Sequence, residues 1–167
     1  MAKPLSRQDS EASMHMSLTE ADKVIIVAHH LPLKIERAPA GGFIIAWDDE
    51  RGLDKNGMKL PTDTTYIGCI ELEVTDMVEQ EQLEKELLDK WGCIVVFLEP
   101  EMKNRYYHGF CRGYLSPIMH NQLHIPQAED PFKPDEWRAY CQVNQLFATK
   151  VLEVYEQGAM IWIHDYQ

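Results

Sequence analysis

The sequence Met160-Ile161-Trp162-Ile163-His164-Asp165-Tyr166 joins a short apolar run to three polar side chains. The apolar residues 160–163 predict a buried strand, and the polar residues would follow at its carboxyl end. In open α/β sheets, ligands bind in the crevice outside the carboxyl ends of the strands. A substrate site is therefore expected around His164, Asp165 and Tyr166.

The chain before this stretch alternates predicted strands with predicted helices. Residues 76–90 predict a helix, because Asp76 and Glu79 form a capping-box pattern and Gly92 is a suitable C-terminal stop. A long amphipathic helix is expected up to residue 155, with Pro134 in its first turn. The remaining predicted elements are strands at residues 23–28, 43–47, 66–70 and 94–98, and a helix that begins at residue 100. This order is typical of a mostly parallel α/β sheet with right-handed crossovers.

Composition and charge limit the classes of function. The chain has 167 residues, 45% of them hydrophobic, and a net charge of −11. Such an acidic surface argues against nucleic acid and anionic membranes as partners. No apolar run is long enough to span a membrane, and the N-terminus lacks an apolar signal core. The scattered cysteines suggest a reducing compartment, so we expect a cytoplasmic protein. Residues 1–22 are polar and predict a disordered tail before one domain at residues 23–167.

Metal and cofactor sites are poorly supported by the sequence. His120 and His124 have the spacing of a helical zinc pair, but no acidic residue or cysteine lies at a supporting offset, and Pro126 favours a loop. Gly41-Gly42 lacks the remaining glycine of a dinucleotide-binding fingerprint. We therefore expect no metal and no cofactor.

Two other features favour a binding site. Adjacent residues of a helix point about 100° apart, so Tyr107 would face a different surface, such as a cleft, if Tyr106 lies in the core. A carboxylate at Asp165 could accept sugar hydroxyls, or act as a general base if burial raises its pKa. The alternative for Asp165 is a structural role as an N-cap.

Several segments together resemble the N-terminal domain of the trehalose-6-phosphate synthase family. They are Val24-Ile25-Ile26-Val27-Ala28 with Leu31-Pro32, Tyr106-Tyr107-His108-Gly109-Phe110-Cys111, Tyr140 with Val143-Asn144-Gln145-Leu146-Phe147-Ala148, and Trp162-Ile163-His164-Asp165-Tyr166. The resemblance implies a Rossmann-like α/β domain, the acceptor-side lobe of a GT-B glycosyltransferase. In that family the N-terminal domain holds glucose 6-phosphate, the C-terminal domain holds UDP-glucose, and transfer is metal-independent with retention of configuration.

The resemblance assigns substrate binding to three residues. Tyr107 and Asp165 match family residues that contact the acceptor sugar. His30 stands where the family has an arginine that holds the acceptor phosphate. From its ordinary pKa, a histidine would be only partly charged at neutral pH, and it lacks the guanidinium fork.

Other acceptor-site positions also depart from the family. Gly68-Cys69 replaces a glycine-tryptophan pair, and Ser116-Pro117 replaces a tryptophan-proline pair. Residues 43–49 and 66–70 resemble the class II plant-type members, which fuse a synthase-like domain to a phosphatase domain and generally lack synthase activity. No catalytic residue is assigned, and whether the protein is an enzyme stays open.

The resemblance leads to one main hypothesis and two alternatives. The main hypothesis is a degenerate sugar-phosphate-binding or regulatory module of a trehalose-biosynthesis protein, inactive on its own. Its partners would be glucose 6-phosphate and the UDP-glucose-binding and phosphatase domains of a parent protein. The first alternative is the acceptor half of an active UDP-glucose:glucose-6-phosphate glucosyltransferase. The second is a non-enzymatic folding or dimerisation module, which would form a homo-oligomer through an unpaired sheet edge.

Overall fold

The computed structural model describes residues 19, 22–48, 50–51, 60–122 and 132–167. The helices are Met77–Trp91 (α1), Pro100–Lys103 (α2), a π-helix over Asn104–Leu115, Ser116–Met119 (α3) and Pro134–Val154 (α4). The strands are Val24–His30 (β1), Leu33–Arg37 (β2), Phe43–Trp47 (β3), Thr64–Cys69 (β4), Cys93–Val95 (β5) and Met160–Ile163 (β6). Most of the predicted tail lies outside the described residues, as does His124.

The main sheet has the strand order β5-β4-β1-β6, and all its pairs are parallel. Residues Val24, Ile25 and Ile26 of β1 are at most 1% exposed, because helices cover both faces of the sheet. One core packs α4 and the π-helix against Ile25 and Val27, and the other packs α1 against β5. The structure confirms the predicted α/β fold with a mostly parallel sheet flanked by helices.

Strand β6 is an edge strand, so the prediction of a buried strand was wrong. Within the described residues it pairs only with β1, and Ile161 and Ile163 are 42% and 71% exposed. Four apolar residues cannot distinguish a central strand from an edge strand. Its position still delivers the polar residues as expected, since the His164 N–H donates to the carbonyl of Val27 at 2.8 Å.

Strands β2 and β3 form an antiparallel hairpin outside the main sheet. The sequence predicted β3 but not β2. The alternating apolar residues of the hairpin pack on the core that α1 covers. Trp47 meets Trp91, at the end of α1, with ring centroids 5.4 Å apart. The hairpin therefore extends the core on that face and leads the chain back to Asp48, whose N–H donates to the carbonyl of Pro32 at 2.9 Å, just after β1.

Helix α1 has the ends that its sequence predicts. The Asp76 carboxylate accepts hydrogen bonds from the N–H groups of Val78 and Glu79, as an N-cap does. At the other end, Gly92 adopts a left-handed conformation with φ 60° and closes the helix through hydrogen bonds to the last-turn carbonyls. These local signals set both ends of α1, while its buried face packs on the core.

The segment that carries the tyrosine pair is a π-helix, not the ordinary α-helix that we expected. Its hydrogen bonds join residues five apart, as between the N–H of Ser116 and the carbonyl of Cys111. Residues five apart therefore share a face, and Tyr106 and Cys111 are both buried in the core. A helix with this repeat places Tyr107 and Arg112 together on the adjacent face.

A bulge interrupts the pairing of β1 with β4. Val27 pairs with Ile67 and His30 with Cys69, so β1 uses one residue more than β4 over this interval. The bulged backbone lies directly on Gly68. A Cβ atom on Gly68 would be 2.7 Å from the Leu31 nitrogen and 2.8 Å from the His30 carbonyl carbon. Only glycine fits here, because these neighbours are backbone atoms that cannot rotate away.

Gly68→Ala is predicted to lower the free energy of unfolding by more than about 2 kcal/mol, since the bulge must shift to admit the methyl group. Urea unfolding followed by circular dichroism measures the change. Gly113→Ala is the matched control, because its nearest neighbour is a helix carbonyl at 3.3 Å. It should change stability by less than about 1 kcal/mol. Equal effects of the two substitutions would contradict the proposed steric role of Gly68.

Candidate binding site

The bulge places two consecutive histidines side by side at the carboxyl end of β1. Neighbouring residues of a regular strand point to opposite faces of the sheet, yet the rings of His29 and His30 have centroids only 4.2 Å apart. Bulges re-aim side chains in this way and occur often beside active sites. His29 is 8% exposed, and His30 is half-buried.

The tyrosine pair of the π-helix packs onto these histidines. Tyr107 stacks on His29 with ring centroids 3.9 Å apart and an angle of 11° between the planes. The guanidinium of Arg112 lies 5.9 Å from the centroid of the Tyr107 ring. The Tyr106 hydroxyl is 3.2 Å from Nδ1 of His29. The stacking face of Tyr107 is thus occupied by protein, and its hydroxyl is the group best suited to meet a ligand.

Burial makes both histidines neutral at neutral pH. The pKa of His29 falls to about 3, first because of burial and then because of the charges of His30 and Lys103. The pKa of His30 falls to about 4, again mainly through burial, with smaller effects of Arg51 and Lys103. The expectation of a partly charged His30 was therefore wrong, because it assumed an ordinary histidine pKa.

Positive charge reaches the site from two other residues. Arg51 forms ion pairs with the buried Asp48, at 3.4 Å, and with Glu71, so its charge is largely balanced. Lys103, the last residue of α2, donates a hydrogen bond to the carbonyl of Ile70 at 3.3 Å. Both residues come from segments that the sequence gave no reason to associate with β1.

A cleft of about 740 Å³ opens beside this cluster. Its walls are residues that follow β4 and β5, together with Lys103, Asn104 and His108. Cys69 also lines the cleft, at the position where the family resemblance expects a tryptophan. The cleft lies outside the carboxyl ends of parallel strands and has a volume typical of small-ligand sites, roughly 300–1,000 Å³.

Asp165 follows β6 in a left-handed conformation with φ 67°, and its side chain is exposed. Its Oδ1 accepts the N–H of Tyr166 at 2.8 Å, and its Oδ2 accepts the side-chain amide of Gln167 at 3.2 Å. After burial, the Asp165 carboxylate is the second cause that raises the pKa of Cys111, to about 12. Tyr107 and Tyr166 pack against the same core cluster, which contains Cys111. Asp165 therefore lies close enough to the π-helix for its charge to act on Cys111.

Other expectations concern metals and membranes. Among the described residues, no group of three or more His, Cys, Asp and Glu side chains is arranged to hold a metal ion. His120 contacts the Ser116 carbonyl through Nδ1 at 2.8 Å. In the same part of the chain, no helix combines the length and hydrophobicity needed to cross a bilayer.

The three predicted site residues are only partly brought together. The Tyr107 and His30 rings have centroids 6.0 Å apart, and the described contacts of Asp165 include neither of them. Sequence reasoning missed His29, Arg51 and Lys103. The alternation of β1 would have placed His29 on the face of Ile25 and Val27, the face that the π-helix covers.

The parallel sheet, its flanking helices and the polar cluster at the carboxyl ends form a Rossmann-like domain, the fold of one GT-B lobe. A family model described as glycosyltransferase family 20 matches residues 22–167. The chain belongs to this family, which the resemblance to trehalose-6-phosphate synthases had indicated.

Among the relatives that match the chain are proteins named as trehalose-phosphate synthases. The UDP-forming alpha,alpha-trehalose-phosphate synthase 5 of Arabidopsis thaliana is 36% identical over 165 residues, which cover 96% of this chain and 19% of the relative. The corresponding synthase 1 of Aspergillus fumigatus is 30% identical over 157 residues, 92% of this chain and 29% of the relative. The plant relatives agree with the plant-type resemblance of the sequence. The chain thus spans about a fifth of the length of the plant protein.

Solved structures show the same fold. The N-terminal domain of Candida albicans trehalose-6-phosphate phosphatase superposes with a TM-score of 0.59 at 22% identity, covering 90% of this chain and 29% of that chain. A structure described as trehalose-6-phosphate from E. coli bound with UDP-2-fluoro glucose has a TM-score of 0.52 at 23% identity, covering 87% of this chain and 28% of that chain. At these identities the likeness concerns the fold alone.

The buried histidines predict acid sensitivity. His29 has a lowered pKa in the folded chain, so the unfolded chain binds more protons between pH 6.5 and pH 3, and stability is lost as the pH falls through this window. From pH 7 to pH 5, His29 should account for about 2 kcal/mol of lost unfolding free energy. Urea unfolding at both pH values measures it.

Comparison of variants separates the contribution of His29 to the pH dependence of stability from that of the carboxylates, which also contribute to acid unfolding. His29→Asn should reduce the difference between the two pH values, whereas His164→Asn, at an exposed position, should leave it unchanged. An unchanged difference in His29→Asn would show that His29 is not held neutral by the fold.

Proposed function

We propose that this chain is the acceptor-side domain of a trehalose-6-phosphate synthase-like protein of trehalose biosynthesis. In this proposal it binds a sugar phosphate at the carboxyl ends of the parallel strands, and it transfers no glucosyl group on its own. It acts instead as a binding or regulatory module. Glucose 6-phosphate is the proposed ligand, and UDP-glucose-binding and phosphatase domains of a parent protein are the proposed partners.

The observation that carries the proposal is the neutral His30. The family resemblance expects an arginine at this position, which would carry its charge at any physiological pH. The pKa of His30 is about 4, and its Nδ1 is buried without a hydrogen-bond partner. The first strand therefore supplies no fixed charge for the acceptor phosphate, which supports a site that binds but is degenerate as a transferase site.

The groups suited to a sugar are retained. The Tyr107 hydroxyl can donate and accept, and the exposed Asp165 carboxylate accepts two hydrogen bonds within the chain while keeping further acceptor capacity. A glucosyl transferase must also hold donor and acceptor in contact geometry, because positioning supplies a large part of the rate enhancement. One lobe offers only the acceptor side of such a site.

Calorimetry tests the proposal directly. Titration of the chain with glucose 6-phosphate should give a binding isotherm. Asp165→Gly should weaken the affinity at least tenfold, because a hydrogen bond to a charged group contributes about 1.5–3 kcal/mol. Glycine suits the left-handed backbone at this position, so the substitution removes the carboxylate without straining the turn. Asp165→Asn, which keeps one acceptor oxygen, should have a smaller effect.

Two results would count against the proposal. The absence of binding heat with the unmodified chain would remove the binding role. The formation of trehalose 6-phosphate from UDP-glucose and glucose 6-phosphate by this chain alone would instead show an active transferase.

The open edge of β6 favours self-association as a second candidate function. Ile161 and Ile163 are exposed on a strand that pairs on one side only within the described residues. Unpaired strand edges can pair with another chain, and natural proteins often protect them with charged side chains.

If this edge mediates self-association, the chain should sediment as a dimer at micromolar concentrations, and Ile163→Lys should convert it into a monomer. Lysine blocks edge pairing through its charge. Sedimentation velocity over a series of concentrations measures both species. A wild-type chain that stays monomeric throughout the series would exclude this candidate.

A further inference from the structure

Lys103 has unused hydrogen-bonding capacity in the cleft. Within the residues that the structure describes, its ammonium donates one hydrogen bond, to the carbonyl of Ile70 at 3.3 Å, and no carboxylate oxygen lies within 4.0 Å of it. A lysine ammonium has three donors. Lys103 is half-buried and lines the cleft together with Asn104 and His108. Its position therefore leaves two donors and one positive charge for a ligand.

The ammonium stands close to the end of the first strand. Its hydrogen-bond acceptor, Ile70, directly follows Cys69, and Cys69 is the residue of β4 that pairs with His30. Paired strands lie about 4.8 Å apart. Lys103 of α2 thus supplies, beside the end of the neighbouring strand, the positive charge that His30 does not carry.

His29 contributes a neutral ring near Lys103. Burial raises the pKa of the Tyr106 hydroxyl, so this group keeps its proton and can donate it to Nδ1 of His29. The neutral His29 ring then carries its own proton on Nε2, which has no hydrogen-bond partner and belongs to a side chain that is 92% buried, since its exposure is 8%. Because this nitrogen is itself buried and His29 does not line the cleft, Lys103 is the donor that a ligand in the cleft would reach.

We propose that Lys103 forms an anion subsite in the cleft, beside Asn104 and His108, and that this subsite holds the phosphate group of a sugar phosphate. This inference rests on the proposed function and assigns phosphate binding to Lys103 instead of His30. A compact ammonium suits a phosphate as a point charge, without the bidentate geometry of an arginine.

The carboxylates of the cleft set the orientation of the ligand. Glu71 is engaged with Arg51, whereas Glu73 and Glu99 are exposed at the rim. Free carboxylates repel a phosphate but accept sugar hydroxyls. The phosphate therefore points inward to the half-buried Lys103, away from the carboxylates of the rim.

Binding of glucose 6-phosphate, glucose and inorganic phosphate to four chains tests the subsite by calorimetry. The chains are the wild type, Lys103→Met, Lys103→Arg and the control Lys90→Met, which removes an equal charge at the far end of α1. Methionine keeps the apolar stem of the lysine, and thermal unfolding verifies that each variant is folded.

We expect Lys103→Met to weaken glucose 6-phosphate binding at least tenfold and to change glucose binding less than twofold. Lys103→Arg and Lys90→Met should both stay within threefold of the wild type. Wild-type affinity for glucose 6-phosphate in Lys103→Met would overturn the subsite.

The choice of ligands separates the two proposals. Equal binding of glucose and glucose 6-phosphate by the wild type would overturn the anion subsite and leave the sugar site standing. Failure of both sugars to bind would remove the proposed function. Inorganic phosphate would then decide the subsite alone, since binding that is lost in Lys103→Met supports it and absence of binding overturns it.

Discussion

The close contact of the bulged β1 backbone with Gly68 is the constraint on which the candidate site depends. The extra residue of β1 is accommodated only because the opposing position of β4 has no side chain. The bulge brings the rings of His29 and His30 together, and the paired rings give Tyr107 a surface to stack on. The backbone geometry of the bulge thus determines how the side chains of the site are arranged.

The electrostatics of the site follow from this packing. Rings pressed against each other and covered by the π-helix lose their hydration, so the protonated forms of both histidines become unfavourable. The formal charges sit around this neutral centre, on Arg51, Glu71 and Lys103. A ligand in the cleft would therefore meet the charged side chains around the histidines and no charged histidine.

Local signals made parts of the fold predictable from the sequence. The Asp76 cap and Gly92 fixed α1, and the continuous apolar run from Val24 identified the central strand. Residues whose environment depends on distant partners were not predictable. The edge position of β6, the π-helical repeat and the register shift at His30 are set by tertiary packing. For the same reason, sequence reasoning named Tyr107 and Asp165 but not Lys103, which reaches the site only through the fold.

The π-helix has a further consequence for how this segment can change during evolution. Its repeat aligns Tyr106 with Cys111 in the core and Tyr107 with Arg112 beside the histidines. Substitutions can alter these pairs one at a time, but an insertion or deletion of a single residue would put every later side chain out of phase. The length of residues 104–115 is therefore constrained more tightly than their identity. A homologue with an insertion or deletion in this segment is expected to have lost the site.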